Sequence, residues 1–95
     1  MSILKEALNI LNLDLKTFDL KNLTTKKTYL CALNKEIVLF IYTGKSRFIL
    51  KNALFLENLA NNFNQNKKLF FIKSALCSKA NQYLSEKGFN IYAIL

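Results

Sequence analysis

Residues 68–94 read KLFFIKSALCSKANQYLSEKGFNIYAI, and the spacing of their apolar positions changes twice. Lys68-Leu69-Phe70-Phe71-Ile72-Lys73 is a short apolar run between cations, the pattern of a strand buried on both faces. Ser78 then stands at an N-cap position, and Ala80, Tyr83 and Leu84 recur at helical spacing across residues 79–87. Gly88 follows at the place where helix C-termini favour glycine. Phe89-Asn90-Ile91-Tyr92-Ala93-Ile94 returns to strand composition and closes the chain as a strand over 89–94. Strand, helix and strand in so few residues form a βαβ-like unit. Such a connection favours parallel strands joined by a right-handed crossover.

Toward the N-terminus, Asn64-Gln65-Asn66-Lys67 reads as a loop. Before it, Ala53, Leu56, Ala60 and Phe63 share one stripe of a helix over 53–64, with Asn52 as its N-cap. Residues 28–33 and 36–43 read as strands joined by a turn at Asn34-Lys35. The second is the most strand-like segment of the chain, rich in β-branched and aromatic residues. Gly44-Lys45 is the next turn, and Arg47-Phe48-Ile49-Leu50 reads as a third short strand. Together these make an antiparallel meander. Residues 2–12 read as a helix capped by Ser2, with Ile3, Leu4, Ala7, Leu8, Ile10 and Leu11 on its apolar side. Between this helix and the meander, Thr17 reads as the cap of a short helical turn carrying Phe18, Leu20 and Leu23. Residues 24–27 read as a solvated connection. The expected fold is α/β (α+β): a single domain over 1–95, with one mixed sheet of about four to five strands and helices on its faces.

The composition bounds the class. A hydrophobic fraction of 52%, with eight Phe and four Tyr, suits a folded core and not a disordered chain. The longest apolar run, Ile37–Tyr42, is far below the roughly 20 residues that cross a bilayer, so no membrane association is expected. Met1–Glu6 lacks the basic start and unbroken apolar run of a secretory leader, which leads to the expectation of a cytoplasmic protein. Cys31 and Cys77 lie within apolar patterns and read as free thiols. The absence of His removes Ser-His and Cys-His catalysis and most zinc sites. There is no Gly-rich phosphate loop, and no cofactor is expected.

The formal net charge is +8, which attracts polyanions. Fourteen residues are Lys or Arg, and only Arg47 is Arg. Lys, Asn, Ile and Phe all have AT-rich codons, so codon drift competes with function as the source of this charge.

The order of elements resembles the restriction-endonuclease-like core of the PD-(D/E)xK nucleases, in its Mrr-type branch. There an antiparallel meander leads to a helix, a strand, a helix and a last strand. Leu69–Ala80 is similar to that branch in its buried strand, small-residue turn and helix opening near a Ser/Thr-x-x-Ala pattern. Gly88–Ile94 is similar to its last strand. The resemblance covers roughly residues 28–94 and rests mostly on topology. It implies a divalent metal held by an Asp on one meander strand and by an acid two residues before a Lys on the next. Here Thr43-Gly44-Lys45 and Ile49-Leu50-Lys51 supply the Lys but not the acid, and Glu36 is the single acidic residue between Thr28 and Leu50. Asp14-Leu15-Lys16 and Asp19-Leu20-Lys21 match as text but precede the expected meander. The resemblance therefore implies a member without the catalytic motif.

Thr43-Gly44-Lys45-Ser46-Arg47-Phe48 is the leading candidate for function. It gathers a Gly, hydroxyls and two cations in one turn, where backbone N–H groups can help to hold a phosphate. The plain alternative is an ordinary turn with solvated charges. Lys16, Lys21, Lys26 and Lys27 form a second basic group, and Lys67, Lys68 and Lys73 a third. Lys45, Ser46, Arg47, Lys51, Lys26 and Lys27 are the residues expected to contact nucleic acid. Tyr29, Tyr42, Tyr83 and Tyr92 sit in apolar patterns, which suits core packing better than base stacking. The expectation is a small non-enzymatic domain that binds nucleic-acid backbone. The first alternative is a protein-interaction or assembly module, in which the wide apolar stripe of the N-terminal helix serves a homodimer. The second is a divergent metal-dependent nuclease using Asp14, Asp19 or Glu36.

Overall fold

A computed structural model describes residues 3–94, and the reading of Ser2 as a helix cap lies outside them. The chain runs α1 (Ile3–Leu11), β1 (Lys16–Phe18), β2 (Tyr29–Leu33), β3 (Ile37–Tyr42), α2 (Leu50–Ala60), β4 (Lys67–Ile72), α3 (Ser78–Glu86) and β5 (Phe89–Ala93). The fold is α+β, with a mixed five-stranded sheet whose spatial order, β1-β2-β3-β4-β5, follows the chain. Both pairings of β2 are antiparallel, and β3–β4 and β4–β5 are parallel. Hence β1, β3, β4 and β5 all point one way and β2 alone points the other. The parallel pairs are connected through α2 and α3, as parallel neighbours require.

The meander is shifted along the chain from where the sequence suggests. Its first strand is β1, where a helical turn after Thr17 is expected. All three residues of β1 are exposed, so no burial pattern betrays it. It exists because Lys16, Thr17 and Phe18 pair with Leu33, Ala32 and Cys31. Residues 47–50, expected as a third strand, are not one. Phe48 makes a single parallel bridge to Leu76, and Leu50 already belongs to α2. Asn52 therefore sits in the first turn of α2 and not before it. Its Oδ1 reaches back to accept the N–H of Ile49 at 3.0 Å, the backward half of a capping box. The helix also ends at Ala60, short of Phe63. In α3, Ser78 is the first helical residue. The cap is Cys77, whose Sγ accepts the N–H of Ala80 at 3.3 Å. Gly88 takes φ +88°, the left-handed conformation that closes this helix.

Strand alternation divides the core between the two sheet faces. Val38, Phe40 and Tyr42 of β3 and Phe70 and Ile72 of β4 face α2 and α3. There they meet Ala53, Leu56, Leu59 and Ala60 of α2 and Ala80 and Leu84 of α3. Leu39, Ile41, Leu69 and Phe71 face the other way, onto the fully buried Ala7 of α1. Ile3, Leu4, Leu8 and Leu11 pack around them. The wide stripe of α1 is thus largely used within the chain, against the sheet, and of its apolar residues Ile10 remains strongly exposed. The helix ends in a Schellman turn. Leu13 N–H bonds to the Leu8 carbonyl and Asn12 N–H to the Asn9 carbonyl, with Asn12 at φ +53°. No described helix is long and apolar enough to cross a membrane.

Candidate nucleic-acid interface

The common direction of β1, β3, β4 and β5 sends the segments 19–28, 43–49 and 73–77 to the carboxyl end of the sheet. Main-chain bonds tie these three segments together. Thr43 N–H donates to the Thr28 carbonyl at 2.7 Å, Phe48 N–H to Ala75 at 2.8 Å, and Cys77 N–H to Phe48 at 2.9 Å. The Ser74 hydroxyl donates to the Gly44 carbonyl at 2.9 Å. Phe48 anchors the middle segment. It is fully buried, with its ring centroid 4.9 Å from those of both Tyr42 and Phe70. The middle loop is therefore held from below by an aromatic cluster, while its Lys45, Ser46 and Arg47 side chains stay in solvent.

Lys45, Ser46 and Arg47 are exposed on the segment between β3 and α2, and Lys26 and Lys27 are exposed on the one between β1 and β2. Lys51 is exposed in the first turn of α2, which opens at the same end. All six expected contact residues thus lie at one end of the sheet. Among the described residues no acidic side chain pairs with Lys26, Lys27, Lys45, Arg47 or Lys51. Two other cations here are engaged. Lys21 lies 3.8 Å from Asp19, and Lys73 lies 2.9 Å from Glu6. The N-termini of α2 and α3 add positive dipole ends to this region. In open sheets with parallel strands, ligands settle outside the carboxyl ends of the strands.

The sequence groups of lysines do not survive as surfaces. Lys16 begins β1 and Lys67 begins β4, so both lie at the opposite end from Lys26, Lys27 and Lys73. That opposite end mixes Lys16, Lys35 and Lys67 with Asp14 and Glu36. The turn at Gly44 also has a different logic from a phosphate cradle. A Cβ there would collide with the Tyr42 phenol, so the ring of the preceding strand demands glycine.

The carboxylates do not converge. Asp14 and Glu36 stand at the amino end of the sheet and Asp19 at the carboxyl end, paired with Lys21. Asp14-Leu15-Lys16 leads into β1 and Asp19 follows it, so both flank the first strand of the observed meander. Neither β2 nor β3 contains an acid. Among the described residues no three His, Cys, Asp or Glu side chains come together to hold a metal.

Tyr29 and Tyr42 belong to the core. Tyr83 is half-buried and donates to Glu57, a bond that holds its phenol above the usual range. Tyr92 is exposed on β5. One feature escaped sequence reasoning altogether. A cavity of about 660 Å³ opens at the carboxyl end of β1, lined by residues of segment 17–30. Its wall includes Tyr29, whose hydroxyl is buried without a hydrogen-bond partner. Burial, reinforced by Tyr42, pushes this phenol upward from its ordinary value. No local pattern reports such a cavity, because it forms where a loop returns over a sheet edge. Comparison with protein families, with curated proteins and with solved structures gives no match to this chain.

Proposed function

We propose that this protein is a small non-enzymatic domain that binds nucleic-acid backbone at the carboxyl end of its sheet. The observation that carries the reading is the gathering of Lys26, Lys27, Lys45, Arg47 and Lys51 at that end without acidic partners among the described residues. Cations held on braced loops can neutralise phosphates without first leaving an ion pair, and each phosphate neutralised releases counterions. Ser46 and the loop N–H groups can add hydrogen bonds to phosphate oxygens. The sequence of meander, helix, strand, helix and strand supports kinship with the endonuclease-like core. The lack of an acid on β2 and β3 supports binding in place of cleavage.

The test is a titration of labelled single-stranded and duplex DNA and RNA at about 50 and 200 mM salt. Four neutralised phosphates would lower affinity about 100-fold across that range. Replacing both Lys45 and Arg47 with Ala should weaken binding and lower the salt slope by about two. Salt-independent binding, or no binding at either salt, would remove the proposal.

A protein-interaction role has one observation in its favour. Ile49, Leu50 and Leu54 are exposed at 45%, 37% and 44%, and Leu50 and Leu54 share one face of α2. On that reading light scattering would find a dimer or a stable partner complex, and nucleic acid would be ignored.

A further inference from the structure

We infer that β5 pairs edge to edge with β5 of a second copy, antiparallel and about a two-fold axis at Ile91. The inference is independent of the nucleic-acid reading above. β5 is the last strand of the sheet, and its pairing with β4 runs without a bulge from Phe89 to Ala93. Ile94 N–H donates to the Ile72 carbonyl at 2.8 Å, which fixes the phase of the strand. Backbone groups alternate between the two sides of a strand, so Phe89, Ile91 and Ala93 turn their N–H and C=O away from β4. Among the described residues no hydrogen bond reaches that outer side. Open edges are commonly guarded by charge, proline, a bulge or shortness. The opposite edge has two of these guards, since β1 spans three residues and begins with Lys16. Residues 89–94 have none, in a chain of formal charge +8. Copies of so basic a chain repel one another, and a neutral edge is where they can approach.

Side-chain sizes select a second copy as the occupant. With the axis at Ile91, Phe89 opposes Ala93 of the other copy and Asn90 opposes its Tyr92. A large side chain thus meets a smaller one in each of these pairs, and Ile91 meets its own counterpart. Every outward N–H also finds an outward carbonyl. Phe89 and Ile91 lie on the sheet face that meets α2 and α3. Asn90 and Tyr92 lie on the α1 face, and both are exposed. In the dimer they form the closely spaced pairs without mutual backbone bonds, where side chains touch. Antiparallel pairing points the carboxyl ends of the two sheets in opposite directions, so both basic ends stay open. An edge of five residues is small beside obligate interfaces. The dimer should therefore be reversible, with a Kd of about 1–100 µM.

The experiment is sedimentation equilibrium of the whole chain from about 1 to 500 µM, with far-UV circular dichroism to confirm folding. The wild-type protein should approach twice the mass of one chain at the upper end. Asn90→Glu with Tyr92→Glu changes two exposed side chains and lowers the net charge, yet it sets like charges directly opposite in both close pairs. It should weaken the dimer about tenfold. Asn90→Glu with Tyr92→Lys sets opposite charges there and should return the Kd to within about threefold of wild type. Ala93→Pro removes an outward N–H that β4 does not use, and should also weaken the dimer about tenfold. A wild-type chain that keeps the mass of one copy throughout would overturn the inference. So would a dimer that all these variants leave unchanged, or one that both charge variants weaken equally. A dimer lost only with Leu50→Ser and Leu54→Ser would assign the contact to α2 and overturn it as well.

Discussion

Cys31 and Tyr29 lie two residues apart on β2, on the face that meets α2. Burial pushes the Cys31 thiol from 9.0 up to about 12. The Tyr29 phenol is also pushed up, by burial first and by Tyr42 second. Both groups therefore hold their protons in the folded protein at pH values where the unfolded chain releases them. Above the unfolded thiol value the unfolded state binds fewer protons, so stability falls as pH rises. The contribution is complete below pH 9.0 and is lost toward about pH 12. Urea midpoints should be level from about pH 7 to 8 and decline from about pH 9 to 10.5. The decline should be shallower in Cys31→Ala, and an equally steep fall in that variant would assign the effect to other groups. The burial of Cys31 was readable from its apolar neighbours. The unpaired hydroxyl of Tyr29 was not, because the rings packed against it, Phe55 of α2, Tyr42 of β3 and Phe48 of the 43–49 segment, come from outside β2.

At the scale of elements, local pattern worked where an element stabilises itself or is apolar throughout. β3 and β4 are apolar runs; the structure places β3 at the centre of the sheet and buries most of β4, as expected. From β4 onward the chain was legible nearly to the residue. Helix α3 has its polar opening and its closing Gly88, and β5 follows at once. Residues 47–50 were not legible, since Arg-Phe-Ile-Leu suits a strand as well as a helix entrance. Phe48 decides the matter by burying its ring among Tyr42 and Phe70, which leaves Ile49 extended and Leu50 starting α2. The Asn52 side chain then closes the entrance on Ile49 N–H. Asn52→Ala should cost about 1 kcal/mol and lower the melting temperature by roughly 4–8 °C. Thermal unfolding followed by far-UV circular dichroism checks this, and an unchanged midpoint would mean that water replaces the cap at no cost.

At the scale of the whole molecule, the net charge of +8 is distributed by topology. Acids and bases mix at the amino end of the sheet, while cations with no acidic partner among the described residues gather at the carboxyl end. The two ends should therefore respond differently to the same loss of charge. Lys26→Ala with Lys27→Ala should lower the salt slope of nucleic-acid binding by about two, whereas Lys16→Ala with Lys67→Ala should change affinity by less than about twofold at fixed salt. Salt titrations of the two double variants make the comparison, and equal losses would mean that total charge matters and its placement does not. The sequence by itself determined the class of the fold, the buried strands and the basic character, because burial, periodicity and charge are local properties of residues. The tertiary structure alone decided that 16–18 is a strand, since that edge exists only through its partner β2. It also decided which lysines stand together and where a cavity opens. Those depend on the direction and order of strands, which are set by pairing between residues far apart in the chain and leave no mark in any short stretch of it.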